Sequence, residues 1–288
     1  MRKSLVVLGV ALVTVGCGSK SPTSPGPVDP PPTNSPPSPP SAPPTLGITR
    51  VLGFGDSMTA GTTSPALASA LSFTPGLPES YPYKLKAILS ARYTAQMMDV
   101  QNAGVPGESV SKGRDRLSSA LSEARPEVML LMEGANDLNA LNGAGLTDIS
   151  AVVNAMEDMV RGATGRGIAV IVATLPPQRP SGSPPRGGAG PLLAKYNNEL
   201  KTMAPRKGAM LVDVNALCPL SLIGQDGLHP TEGGYQKLAE IFADVIKTRW
   251  EVTSSTASQR SSTLLPAPAI ASHASRRPAE VVDRPPPR

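Results

Sequence analysis

Five short apolar runs recur through the middle of the chain, at residues 48–54, 97–103, 128–132, 168–174 and 209–214, and each is apolar continuously rather than at alternate positions. A strand with one face in water alternates, whereas a strand covered on both faces does not. Between the runs lie segments with helical spacing, at 81–92, 112–123, 149–164, 192–204 and 235–250. Strands that alternate with helices are joined by right-handed crossovers, which leave the strands parallel and put helices on both faces. The pattern predicts an α/β fold, a three-layer α/β/α sandwich around a parallel sheet of about five strands.

In such a sheet, ligands bind outside the carboxyl ends of the strands. The turns that leave those ends are therefore the places to look for chemistry. The first run leads into Gly53-Phe54-Gly55-Asp56-Ser57-Met58, the second into Asn102-Ala103-Gly104-Val105-Pro106-Gly107, and the third into Gly134-Ala135-Asn136-Asp137. Beyond the fifth comes Asp226-Gly227-Leu228-His229-Pro230. Each alone is ordinary turn chemistry. Together they supply a hydroxyl nucleophile in Ser57, an imidazole base in His229 and an orienting carboxylate in Asp226, the groups that nucleophilic acyl transfer requires. The chain has two histidines, and the other, His273, lies in a tail of different composition, so His229 is the one candidate base.

That difference in composition sets the domain boundaries. Of the 33 prolines, 12 precede residue 48 and 6 follow residue 250. The formal net charge is +5, but the first 47 residues contribute +2 (Arg2, Lys3 and Lys20 against Asp29) and the last 38 another +2 (five arginines against Glu251, Glu280 and Asp283). Residues 48–250 carry the remaining +1, read as one domain, and at that length bury about 70% of the surface of the unfolded chain. A near-neutral domain offers no concentrated field for a phosphate backbone, which argues against a nucleic-acid partner.

The N-terminus opens with Arg2 and Lys3, followed by an uncharged run over 5–15 and Gly16-Cys17, the order of an export signal. Such a run is too short to span a bilayer, which takes about 20 residues as a helix. Thr14-Val15-Gly16-Cys17 resembles a bacterial lipobox, in which Cys17 is lipidated and becomes the mature N-terminus. Residues 1–16 are thus expected to be a signal peptide and 17–47 a lipidated, Pro- and Ser-rich disordered tether, with 251–288 a disordered tail. The expected location is the bacterial cell envelope, on a membrane reached through the lipid on Cys17. Cys218 is then left without a disulfide partner and reads as a small buried apolar residue.

Two rival readings of the first turn fail. A dinucleotide fingerprint needs a glycine where Met58 stands, and Asp56 would set negative charge beside the pyrophosphate. The Gly-x-Ser-x-Gly elbow of another hydrolase fold does not occur. A non-catalytic, envelope-anchored ligand-binding module remains as the reading from a different class.

The four turns, in this order, resemble those of the SGNH hydrolases, also called GDSL-type esterases and lipases, over most of 48–250. The family's serine block matches Gly55-Asp56-Ser57, with Met58 where its name expects Leu. Its glycine block matches Gly104, its asparagine block Gly134-Ala135-Asn136-Asp137, and its last block Asp226-Gly227-Leu228-His229-Pro230. The resemblance implies a flavodoxin-like sheet and hydrolysis of carboxylic esters or thioesters of small acyl substrates or lipids, without metal or cofactor. It also implies an oxyanion hole made of the backbone N–H groups of Ser57 and Gly104 and the side-chain amide of Asn136. On this reading Gly104 admits substrate close to the backbone, Gly134 allows the turn that presents Asn136, and Asp56 and Asp137 brace their loops. A carbohydrate O-deacetylase is the alternative within the enzyme class, and the protein is expected to act as a monomer. Arg179 and Arg186, in the boundary loop 176–191, are cations that suit a phosphate or carboxylate when solvent does not take them.

Overall fold

The computed structural model describes residues 43–62 and 79–252. The predicted signal peptide, Cys17, most of the tether, the loop 63–78 and the tail lie outside the described residues. In chain order the elements are β1 (Thr45–Leu46), β2 (Arg50–Gly55), α1 (Ser57–Ala60), α2 (Tyr81–Arg92), β3 (Asp99–Gly104), α3 (Val110–Ala124), β4 (Val128–Met132) and α4 (Ala135–Gly143). There follow α5 (Ser150–Thr164), β5 (Ala169–Ala173), α6 (Pro191–Arg206), β6 (Met210–Val212), α7 (Val214–Leu217), α8 (Glu232–Trp250) and β7 (Glu251–Val252).

Strands β2 to β6 form one parallel sheet in the order β3-β2-β4-β5-β6. Right-handed crossovers put α2, packed against α8, on one face, and α3, α5 and α6 on the other. The central strand β4 is wholly buried, with no exposure at any residue from Val128 to Met132. Its run of apolar side chains faces helices on both sides. On the α2/α8 face, Tyr81 stacks on Phe242 with ring centroids 5.0 Å apart. Among the described residues, no helix is long and apolar enough to cross a membrane.

All five strands and five helices expected from the pattern are present. Helix α4 was not legible, because its sequence ANDLNALNG buries only Ala135 and Leu138 and so carries no apolar stripe. The folded body also reaches beyond 48–250. Thr45 and Leu46 pair antiparallel with Val252 and Glu251. The Gln96 side chain accepts the Leu46 N–H at 2.6 Å and donates to its carbonyl at 2.9 Å. Glu251 receives two bonds from Arg92, at 2.7 and 2.9 Å, and one from the Tyr93 hydroxyl at 2.7 Å. Polar side chains rather than an apolar run hold this clasp, so hydrophobic periodicity gave no sign of it.

The strand order reverses at β2, the point outside which open parallel sheets bind their ligands. Gly55 lies in register with Gly104 on one side and Met132 on the other. Asp56-Ser57, Val105 and Glu133-Gly134 therefore emerge from the sheet at one level.

Candidate active site

Ser57 is the first residue of α1 and follows β2 by one residue. Asp56 caps this short helix, its Oδ1 accepting the Met58 N–H at 2.9 Å, which spends its side chain on the turn. Ser57 Oγ lies 2.8 Å from His229 Nε2, and His229 Nδ1 lies 2.5 Å from Asp226 Oδ2. Asp226 Oδ1 accepts the N–H groups of Leu228 and His229, each at 3.0 Å, so one carboxylate shapes the turn and aims the ring. All three side chains are buried. Burial pushes the Asp226 carboxyl upward, but the bonds from the His229 ring and the two backbone N–H groups outweigh it and hold the group below the usual carboxylate range. Residues 172 apart in sequence thus form one hydrogen-bonded chain of hydroxyl, imidazole and carboxylate.

Asn136 stands in the first turn of α4, presented by Gly134 at φ +115°, and its Nδ2 donates to the Glu108 carbonyl at 2.8 Å. That bond uses one of two amide hydrogens and fixes the other. Asp137 braces the start of α3, its Oδ2 accepting the Val110 N–H at 3.0 Å. Arg116 joins the ends of β2 and β3, donating to the Gly55 carbonyl at 3.2 Å and the Ala103 carbonyl at 2.8 Å. The same guanidinium binds the Glu108 carboxylate at 2.6–2.8 Å and lies 4.0 Å from the centre of the Phe54 ring.

Gly104 is placed differently from the expectation. Its N–H donates to Asn102 Oδ1 at 2.9 Å and so is not open to a substrate. Asn102 Nδ2 in turn donates to the Thr59 carbonyl at 3.0 Å, clamping β3 to α1. A Cβ on Gly104 would fall 2.1 Å from the Ala60 nitrogen. The glycine lets α1, which carries Ser57, seat against β3, and Asn102 is a residue of this junction that motif order did not single out. Three residues further on, Gly107 is exposed with φ +75°. Among the described residues, neither the Gly107 N–H nor the Ser57 N–H has a backbone or side-chain acceptor.

Beneath the site lie two carboxyl groups that the turns did not reveal as neighbours. Asp56 and Glu133 leave adjacent strands and are wholly buried, and among the described residues Asp56 Oδ2 and both Glu133 oxygens have no hydrogen-bond partner. Burial pushes Asp56 up to about 7, helped by the nearby Asp137 and Glu108 carboxylates against the bond from Met58. Burial, then the neighbouring Asp56 and Glu108, push Glu133 up to about 9 against the pull of Arg116. Both values exceed those of an unfolded chain, near 4. The stabilising contribution of each group is therefore complete below about pH 4 and is lost as the pH rises through about 7 for Asp56 and about 9 for Glu133. The melting temperature is expected to fall as the pH rises from about 4 to about 9. Glu133→Gln, which keeps the shape and cannot ionise, should flatten the upper part of that curve; an unchanged slope in the variant would contradict the buried acid.

A hydroxyl, an imidazole aligned on it and, among the described residues, N–H groups without an acceptor near the carboxyl ends of the strands suit transfer of an acyl group. The model of the GDSL-like lipase/acylhydrolase family matches residues 54–237, and the chain belongs to that family. It is a hydrolase of ester bonds. Solved structures share the fold at low identity. A lipase/acylhydrolase from Enterococcus faecalis superposes with a TM-score of 0.56 and 22% identity, over 70% of this chain and 97% of that one. Axe2, an acetylxylan esterase from Geobacillus stearothermophilus, gives 0.54 and 18% over 70% and 95%. A putative lipolytic protein of the G-D-S-L family from Desulfitobacterium hafniense gives 0.53 and 17% over 68% and 99%. No curated protein sequence matches the chain.

Proposed function

We propose that the protein is a serine esterase that hydrolyses carboxylic ester or thioester bonds of small acyl substrates or lipids, with Ser57, His229 and Asp226 as its catalytic triad. The observation that carries this reading is the unbroken chain of bonds from Ser57 Oγ through the imidazole to Asp226. With Asp226 accepting the Nδ1 proton, the Nε2 lone pair faces the serine. Ser57 Oγ attacks the acyl carbon while Nε2 takes its proton, and the imidazolium then delivers that proton to the departing alcohol or thiol. Water attacks the acyl-enzyme by the same route and restores Ser57.

The oxyanion of the tetrahedral intermediate is received by the Ser57 N–H, the free amide hydrogen of Asn136 and the Gly107 N–H, which takes the part first given to Gly104. Gly107 is favoured by its unpaired N–H and its open position, whereas Gly104 is already bonded to Asn102. Loss of one such donor costs about 10²–10³ in rate. Asn136→Ala should accordingly lower kcat by about 10²–10³ and leave KM nearly unchanged. A raised KM with unaltered kcat would make Asn136 a binding residue instead.

A second reading, O-deacetylation of a carbohydrate, is favoured by the fold shared with an acetylxylan esterase. Against it stands the shortage of aromatic residues, 3% with a single Trp, since sugars are held by stacking on rings. An acyl-chain series of p-nitrophenyl esters, run beside acetylated xylan and lysophospholipid, separates the two. Turnover of the simple esters or lysophospholipid above that of xylan supports the first reading, and the reverse supports the second.

The protein acts as a monomer at the cell envelope, tethered by the lipid on Cys17. The arm behind it, at about 3.1 Å per residue when extended, holds the domain several tens of Å from the membrane. The support is the charged, apolar and small-residue order of residues 2–17. Cys17→Ser should move the protein from the membrane to the soluble fraction and stop incorporation of labelled palmitate; a variant still membrane-bound would contradict the anchor.

A further inference from the structure

The connection from β5 to α6 carries Arg179 and Arg186, and the Arg179 side chain is taken by the protein's own backbone. The Arg179 guanidinium donates through Nη2 to the carbonyls of Ile223 and Gly224, at the start of the loop that bears Asp226 and His229. Three backbone bonds run beside it: Arg179 N–H to the Gly227 carbonyl, Ser183 N–H to that of Gln225, and Arg186 N–H to that of Asp226, each 2.8 Å. The two segments lie so close that a Cβ on Gly182 would fall 2.1 Å from the Asp226 carbonyl oxygen.

The other side of this connection is held by α4. Asn139 Nδ2 donates to the Arg186 carbonyl and Asn142 Nδ2 to that of Gly188, both at 2.7 Å. Gln178 Oε1 accepts the Ala189 N–H at 3.0 Å and closes the connection on itself. Arg186 is the joint, its N–H bonded to Asp226 and its carbonyl to Asn139. Asn139 stands three residues along α4 from Asn136. One residue therefore separates the helix of the oxyanion donor from the loop of the base.

We propose that residues 176–190 are a strap that registers the Asp226–His229 loop against α4, with Arg179 and Asn139 as its positioning residues. The inference rests on the triad assignment above. The base loop has little regular structure of its own, an isolated bridge between Ile223 and Pro230 and backbone bonds from the Gly224 N–H to the His229 carbonyl, the Gly227 N–H to the Gly224 carbonyl and the Thr231 N–H to the Leu222 carbonyl. Most of its outward carbonyls are instead taken by the strap. A guanidinium is always charged and carries several donors in a fixed plane, which suits it to hold two carbonyls at once. A displacement of about 1 Å in a catalytic group costs on the order of 10² in rate. Arg179 and Asn139 should then govern kcat while touching neither substrate nor reacting atoms.

The test uses the full chain with Arg179→Ala, Arg179→Lys and Asn139→Ala. One readout is independent of turnover: the far-downfield proton resonance of the His229 Nδ1–H bonded to Asp226, recorded in a Ser57→Ala background. Arg179→Ala is expected to broaden or shift it, Asn139→Ala to do so less, and Arg179→Lys to restore part of it. In the active enzyme, kcat should fall roughly 10- to 100-fold in Arg179→Ala with KM within about twofold, and methylguanidinium should recover part of the loss. A folded Arg179→Ala with an unmoved resonance and wild-type kcat overturns the strap, as does a lowered melting temperature alone. Should Arg179→Ala fail to fold, an unmoved resonance in both Asn139→Ala and Arg179→Lys overturns it equally. A wild-type protein without esterase turnover would sink the proposed function, and the resonance would still report on the strap.

Discussion

Ser57→Ala is expected to lower kcat on a short p-nitrophenyl ester by about 10⁶-fold, the scale on which removing a triad nucleophile acts. The size follows from the geometry. Ser57 Oγ is the group that His229 Nε2 faces at 2.8 Å, and it emerges at the switch point on a residue whose own N–H has no acceptor among the described residues. Without the hydroxyl no acyl-enzyme forms, and what remains is the smaller effect of the oxyanion donors and of binding on attack by water. The fold should tolerate the change, because Ser57 Oγ makes one side-chain bond and the turn is held by Asp56. A melting temperature near that of the wild type, measured alongside kcat, separates lost chemistry from lost structure. Retained turnover in the variant would end the mechanism.

Asp226→Asn should cost about 10⁴ in kcat, through the tautomer of His229 rather than through a lost contact. The amide oxygen of the variant can still accept the Leu228 and His229 N–H groups that Asp226 Oδ1 accepts at 3.0 Å, so the turn survives. Its NH₂ group, however, would face His229 Nδ1 where the carboxylate now lies at 2.5 Å. The ring would then carry its proton on Nε2 and turn an N–H, not a lone pair, toward Ser57. The carboxyl is held below its usual range, so the group is ionised at neutral pH and its contribution to stability is lost only as acid carries the pH down through that lowered value. A fall in kcat of less than about tenfold would reduce Asp226 to a brace for the loop backbone.

The strands of the sheet were legible because burial on both faces writes a continuous apolar run, as in the wholly buried β4. The grouping of Ser57, His229 and Asp226 was legible because turns beyond the strands carry them in a chain with two histidines, one of them in a proline- and arginine-rich tail. What stayed hidden depends on partners distant in sequence. The glycine of the second turn was misjudged because motif order cannot show which N–H is open, and the Asn102 side chain takes the one on Gly104. Arg179 read as a free cation because its acceptors are loop carbonyls 44 and 45 residues on, beyond α6, β6 and α7. Asp56 and Glu133 became neighbours only through the pairing of β2 with β4, in which Gly55 lies opposite Met132. Nothing in either turn announces a second buried carboxyl.

The central claim is that Ser57 is a nucleophile activated by His229 and Asp226, and covalent capture addresses it without knowledge of the substrate. Incubation of the full chain with a fluorophosphonate, followed by peptide mass spectrometry, should show one adduct, on Ser57, absent from Ser57→Ala and formed much more slowly in Asp226→Asn. A folded wild-type protein that takes up no adduct at Ser57 would contradict the account and leave a binding module in its place.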